Sequence, residues 1–250
     1  MDKRNVLVGD GQEAAVSTPI YDTAFYERAE KSAAAARAII SILQSSLTVG
    51  SVLDVGCARG TWLAAWQQAG CADIYGIDGA FITPEQLLIS PDCFMSTDLA
   101  APFNLGRRFD LVQCLEVAEH LPRRRSASLV ADLTAHADAV LFSAAPPGQG
   151  GAGHINEAPY AFWRDLFAAH GYAAFDCVRP ALQDQPQLPY WYRYNIFLYM
   201  KAPHPSLLPY PADKDLRDMS PLSFQIRKRI LKHLPASAIN LLARLVARVG

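Results

Sequence analysis

The stretch Val52-Leu53-Asp54-Val55-Gly56-Cys57-Ala58-Arg59-Gly60 decides the fold of this chain. It is a short apolar run that ends in a glycine turn, and a helical pattern follows it from Trp62. A strand that ends in a glycine turn and opens a helix brings backbone N–H groups to a ligand at the carboxyl edge of a sheet. Because a glycine turn alone is a weak signal, the class of ligand must be decided by the rest of the chain.

Short apolar runs typical of buried strands alternate with helical patterns between residues 21 and 201. This alternation predicts an α/β, Rossmann-like, doubly wound sheet of about seven strands, mostly parallel. Only a loop rich in Pro and Gln separates the last two apolar runs, residues 172–178 and 191–200. We therefore expect these two runs to be strands that pair antiparallel at one edge of the sheet.

Acidic residues follow three successive predicted strands. Asp54 precedes the glycine turn, where its charge would repel a pyrophosphate but attract a cofactor with a sulfonium and an ammonium group. Asp78 ends the second strand, the position that accepts hydrogen bonds from ribose hydroxyls. Asp98 offers a carboxylate to an adenine amino group, and Leu99 can pack against the ring. The three acids together predict a cationic cofactor that carries adenosine.

On these motifs, residues 21–201 resemble the class I S-adenosylmethionine-dependent methyltransferases. The whole pattern, including the run Trp191-Tyr192-Arg193-Tyr194-Asn195, resembles a bacterial group of them associated with glycan and surface-polysaccharide modification. The resemblance implies a methyltransferase enzyme with S-adenosyl-L-methionine as its cofactor. The cofactor-binding residues that it implies are Asp54, Gly56, Cys57, Gly60, Asp78, Gly79, Asp98, Leu99 and Leu115. Ala58 replaces the middle glycine of the family's usual turn, which costs little unless that residue needs a positive φ.

The fourth predicted strand runs into a cluster of titratable residues, Glu116, Glu119 and His120. This edge faces the methyl group in the family, and a neutral imidazole is a suitable general base for an acceptor hydroxyl. A glycine-rich loop after the next strand carries His154 and Asn156, which could grip acceptor hydroxyls. We expect His120 and His154 to share the substrate pocket, and we assign catalytic roles to Glu116, His120 and His154. The alternative is that these side chains only cap helices and order the loops.

The spacing Glu116-x-x-Glu119-His120 also resembles the magnesium-binding segment of ubiquinone-pathway O-methyltransferases and of small-RNA 3′-terminal methyltransferases. Two carboxylates and a nitrogen could hold a divalent ion that lowers the pKa of a hydroxyl. We assign no metal ligands and predict O-methylation of a small-molecule or glycan-type acceptor. The alternatives are a metal-assisted RNA or quinone-type O-methyltransferase and an inactive cofactor-binding partner protein. The glycine spacing and Asp54 disfavour an NAD-dependent oxidoreductase.

Composition and charge limit which partners and which cellular location the sequence predicts. The formal net charge is −1 and no long apolar run occurs, so the sequence gives no strong nucleic-acid or membrane-spanning signal and predicts a cytoplasmic protein. Residues 1–20 read as a loose arm, and residues 202–250 as a proline-rich linker with an amphipathic, basic helical tail. The tail either packs on the domain or on a second subunit, or it makes a peripheral contact with the inner face of the membrane or with an enzyme complex.

Overall fold

The computed structural model of the chain describes residues 23–202, 207 and 216–233. Its seven-stranded sheet has the order β3-β2-β1-β4-β5-β7-β6, and β7 runs antiparallel to both of its neighbours. The strands are β1 (Ser51–Val55), β2 (Asp73–Asp78), β3 (Phe94–Ser96), β4 (Leu111–Leu115), β5 (Ala139–Ser143), β6 (Ala173–Phe175) and β7 (Phe197–Met200). The α-helices are α1 (Thr23–Gln44), α2 (Thr61–Gln68), α3 (Ser126–His136), α4 (Tyr160–Ala168), α5 (Arg179–Leu182), α6 (Tyr190–Asn195) and α7 (Leu222–Leu231).

Both faces of the sheet are covered, as the continuous apolar strands require. Side chains alternate along β5, so Leu141 faces one layer while Val140 and Phe142 face the other. The layer on the Leu141 side contains residues of α1 and α2, such as Ile39 and Trp66. The opposite layer contains residues of α3 and α4. The predicted doubly wound, mostly parallel sheet is confirmed.

The antiparallel pairing of the last two strands is also confirmed, but their extent was predicted wrongly. Residues 191–195, predicted as part of an edge strand, lie in α6, and α5 also lies between the two strands. Pro189 precedes α6, where its missing N–H leaves no hydrogen bond unmade. Tyr192 then packs edge-to-face on Trp62 with ring centroids 5.2 Å apart. Packing therefore overrides the β-preference of this aromatic run.

The first predicted tail helix is present as α7, which lies against the loop that follows β5. A Cβ atom on Gly148 of that loop would come within 2.1 Å of the Lys228 carbonyl oxygen, so the two segments touch through backbone. The predicted N-terminal arm and the second tail helix lie outside the described residues. Among the described helices none is long and apolar enough to cross a membrane.

Candidate active site

The turn after β1 holds three residues in the left-handed region of backbone space. Gly56 has φ 83°, Ala58 has φ 47° and Gly60 has φ 82°. Gly56 also has no room for a side chain, because a Cβ atom there would lie 2.3 Å from a methyl group of Val117. Ala58 therefore adopts the positive φ that makes alanine unfavourable at this position. An L-residue in the left-handed region costs about 1–2 kcal/mol.

Asp78 holds this turn in place. One carboxylate oxygen accepts a hydrogen bond from the Ala58 N–H at 2.7 Å, and the other accepts one from the Gly79 N–H at 2.7 Å. Asp78 is buried, yet it lines a cavity of about 390 Å³ at the carboxyl edge of the sheet. Its remaining lone pairs are available to hydroxyl groups of a ligand in that cavity.

The cavity brings together most of the residues that the sequence singled out. Asp98 lies on its rim, where its carboxylate also accepts a hydrogen bond from the Ala100 N–H at 2.9 Å. The buried Leu99 side chain adds an apolar surface. Phe81, which the sequence analysis missed, lines the same cavity and is 73% exposed. The predicted site residues that line the cavity are Gly56, Asp78, Gly79, Asp98, Leu99, Glu116 and His120.

Four predicted cofactor-binding residues do not line this cavity. Asp54 is buried in β1 opposite Gln113 of β4, and burial raises its pKa to about 7, although the Gln113 side chain lowers it. Cys57 packs beneath the turn against Gly76, and burial raises the pKa of its thiol. Gly60 starts α2, and Leu115 packs against the core.

Glu116 occupies the end of β4 in a strained conformation. Its φ is 56°, a value that costs a non-glycine residue about 1–3 kcal/mol and is found most often at functional sites. Its carboxylate accepts hydrogen bonds from the Gln149 amide at 3.1 Å and the Asn195 amide at 3.2 Å. Asn195 in turn accepts a bond from the Tyr160 hydroxyl at 2.9 Å. A network that spans the loop after β5, α4 and α6 therefore fixes the Glu116 side chain.

Glu119 is fully buried next to Glu116. Burial, together with the charge of Glu116, raises the pKa of Glu119 to about 9. One of its carboxylate oxygens accepts a weak bond from the Ala145 N–H at 3.3 Å, but Oε2 is buried without a hydrogen-bond partner. A buried oxygen of this kind is expected either to carry a proton or to contact a group from outside the chain.

His120 and His154 lie in contact, but only His120 of the two lines the cavity, so a substrate pocket shared by both stays a prediction. Their ring centroids lie 4.9 Å apart in an edge-to-face arrangement. The Nδ1 atom of His120 lies 3.2 Å from the Gly153 carbonyl oxygen, and Nδ1 of His154 lies 2.9 Å from a Glu157 carboxylate oxygen. Because the Gly153 carbonyl oxygen can only accept a hydrogen bond, Nδ1 of His120 carries the proton and Nε2 of His120 keeps its lone pair. Burial and the neighbouring His154 lower the pKa of His120, so its imidazole is neutral near pH 7.

The glycine-rich loop is organised by Glu157, which the sequence analysis did not single out. Its carboxylate accepts bonds from the N–H groups of Gly148 and Gly150, both at 2.7 Å, and from His154. Burial raises the pKa of Glu157, but these bonds outweigh burial and lower it overall. Asn156 was expected to grip acceptor hydroxyls, which is wrong. It is buried, and its amide donates to the Ala118 carbonyl and the Ser126 hydroxyl.

One group of side chains in the described part of the chain has the composition of a metal site. Glu119, His120 and His154 each offer a ligand atom, and these atoms lie within 4.8 Å of one another. The group includes the carboxylate whose Oε2 has no partner.

The strand order, the reversed β7 and the cavity at the carboxyl edge define the class I methyltransferase fold. Residues 26–149 match the family model described as "Methyltransferase domain", and this match together with the fold supports a methyltransferase enzyme. No curated protein matches the sequence.

Solved structures share the fold at low sequence identity. Magnesium protoporphyrin IX methyltransferase from Synechocystis, with bound SAH, is 20% identical over 78% of this chain and 90% of its own, with a TM-score of 0.52. DesVI from Streptomyces venezuelae is 16% identical over 73% and 97%, with a TM-score of 0.57. The sugar N-methyltransferase KedS8 from Streptoalloteichus is 17% identical over 76% and 99%, with a TM-score of 0.52. At these low identities, the likeness to the solved structures shows a common fold alone.

Proposed function

We propose that this chain transfers a methyl group from S-adenosylmethionine to an oxygen of a small-molecule or glycan-type acceptor, with His120 as the general base. One observation carries the proposal. One cavity is lined both by Asp78 and Asp98, which suit an adenosine group, and by Glu116 and His120. The donor supplies an electrophilic methyl group on a sulfonium, and the chain must hold the acceptor next to it.

His120 has the protonation state that a base requires. With the proton on Nδ1, its Nε2 lone pair is free to accept a proton from an acceptor hydroxyl. The lowered pKa keeps this lone pair available at neutral pH. His154, held by Glu157, packs on the His120 ring and so fixes its orientation. His154 is therefore a positioning residue that lies beside the base.

Glu116 is the second titratable side chain of the cavity that could bind the acceptor. The Gln149 and Asn195 amides hold its carboxylate in one place, so an acceptor that bonds to it is fixed relative to the donor. Such positioning is a large source of acceleration in transfer between two bound molecules. The sugar N-methyltransferase among the structures of the same fold supports a glycan-type acceptor. An amino group in place of the hydroxyl would use the same base.

The test is a methyl-transfer assay with labelled donor on sugars, nucleotide sugars and small phenols. We expect His120→Gln to lower kcat by about 10²- to 10⁴-fold while donor affinity stays within twofold, because the base does not touch the donor. His170→Gln is the matched control, since His170 is an exposed histidine outside the site. Unchanged turnover in His120→Gln would refute the base. Donor binding without transfer to any acceptor would favour an inactive cofactor-binding protein.

A metal-assisted reaction is the second candidate, and the unpartnered Oε2 of Glu119 favours it. Glu119, His120 and His154 would hold a divalent ion, which would lower the pKa of an acceptor hydroxyl. With two imidazoles, the group suits Mn²⁺, Fe²⁺ or Zn²⁺ better than Mg²⁺, which prefers oxygen ligands. Adding a chelator and then each ion separately tests this. A rate unaffected by the chelator would exclude the metal-assisted reaction.

A further inference from the structure

Helix α7 presents an apolar stripe to solvent. Leu222, Ile226 and Ile230 lie four residues apart on one face of the helix, and they are 67%, 47% and 61% exposed. A helix that packs on a globular domain normally turns such a stripe inward. The apolar face of α7 therefore points to solvent, whereas the burial of apolar surface during folding would favour turning it toward the domain.

Polar bonds hold α7 in this orientation. Lys228 forms a salt bridge with Asp218 at 2.5 Å, and the Gln225 amide donates to the carbonyl oxygens of Asp218 and Ser220. On the same side, the Phe224 ring packs on Tyr190 with centroids 5.1 Å apart. The face of α7 turned toward the domain is thus fixed by specific contacts, and the aliphatic face is left outward.

The charge around this stripe is of one sign. Arg227 and Arg229 are exposed on α7, Lys232 is exposed directly after it, and from Met219 onward the sequence contains no Asp or Glu. A cavity of about 390 Å³ lies between α7 and the loop after β5. The charged residues that line it are Asp218, Lys228, Arg229 and Lys232, an excess of positive charge.

We propose that α7 lies in the headgroup layer of an anionic membrane, with Leu222, Ile226 and Ile230 inserted toward the acyl chains. An apolar stripe flanked by Lys and Arg is the arrangement that binds such surfaces. Because α7 contacts the loop after β5, the membrane would lie beside the catalytic edge of the sheet. This inference does not depend on the proposed function.

Co-sedimentation of the full chain with vesicles tests the inference. We expect binding to vesicles of equal parts phosphatidylcholine and phosphatidylglycerol, and at least ~10-fold weaker binding to phosphatidylcholine alone. The double variant Ile226→Glu/Ile230→Glu should bind anionic vesicles at least ~10-fold more weakly at an unchanged Tm, since both side chains are exposed. Leu88→Glu is the matched control, because Leu88 is an aliphatic residue 49% exposed elsewhere on the domain. It should bind as the wild type does.

Four results would overturn the inference. The first is a wild-type chain that does not sediment with anionic vesicles, and the second is a double variant that binds them as well as the wild type does. The third is a dimer, seen by light scattering, that the double variant dissociates while vesicle binding is absent. That result would make the stripe a contact between two copies of the chain. A double variant with a lower Tm and no vesicle binding in the wild type would show that the stripe packs against the chain itself.

Discussion

Replacing Asp78 with asparagine should weaken both the fold and donor binding. Each carboxylate oxygen of Asp78 accepts a hydrogen bond, and an amide has only one oxygen that can accept. In the wild type each oxygen accepts one backbone N–H at 2.7 Å, from Ala58 and from Gly79. In Asp78→Asn one oxygen becomes an NH₂ group that faces an N–H donor. The variant therefore loses one charge-assisted hydrogen bond and leaves a buried donor without a partner.

Such a bond contributes about 1.5–3 kcal/mol. We expect the free energy of unfolding to fall by about 2–3 kcal/mol, which lowers Tm by about 4–12 °C in a domain of this size. Donor affinity should fall by roughly 10- to 100-fold, because the acceptor for a ribose hydroxyl also changes its charge. Differential scanning fluorimetry measures the first effect, and calorimetric titration with S-adenosylmethionine measures the second.

Asp98→Asn is the matched control for Asp78→Asn. Asp98 is exposed and accepts one local bond, so its replacement should change the free energy of unfolding by no more than about 0.5 kcal/mol. An Asp78→Asn variant with a wild-type Tm and a donor affinity within twofold of the wild type would refute this account of the turn.

Three further predictions follow from individual residues of the site. Since burial and His154 lower the pKa of His120 from 6.5, the methyl-transfer rate should be level from pH 8 down to about pH 6.5 and should fall only in more acidic solution, where the base is protonated; a rate that already falls between pH 8 and pH 7 would contradict this. The pKa of Glu119 lies above its unfolded value of 4.5, so its contribution to stability is full below pH 4.5 and is lost as the pH rises toward about 9. Thermal melts in the presence of a chelator should therefore show that the Tm of Glu119→Gln, relative to that of the wild type, rises between pH 5 and pH 9. A Tm difference that does not change with pH would refute the raised pKa of Glu119. Ala58→Gly should raise the free energy of unfolding by about 0.5–1 kcal/mol, measured by urea denaturation, because it removes the left-handed strain; a destabilised variant would show that the turn tolerates alanine without strain.

The sequence was sufficient to predict which strand ends converge. Asp78, Asp98 and His120 follow successive strands, and the carboxyl ends of parallel strands meet at one edge, so their meeting at the cavity follows from the pattern alone. The direction of a side chain at a strand end was not predictable in the same way. Asp54 lies opposite Gly76 and Gln113 inside the sheet and does not line the cavity, which its position at a strand end did not reveal.

The hydrogen bonds that hold the Glu116 carboxylate could not be predicted, because their donors lie far from Glu116 in the sequence. Gln149 lies 33 residues away in sequence and Asn195 lies 79 residues away. Asn195 reaches Glu116 because residues 190–195 form α6, where the aromatic run had predicted a strand. The outward orientation of α7 is a similar case, since an amphipathic pattern shows that a helix has an apolar face and does not show what that face meets.

Calorimetric titration of the full chain measures whether the cavity binds S-adenosylmethionine through Asp78. We expect S-adenosylmethionine and S-adenosylhomocysteine each to bind at one site per chain, NAD⁺ not to bind, and Asp78→Asn to weaken the binding of both adenosyl ligands. Binding of NAD⁺ without binding of either adenosyl ligand would contradict this expectation.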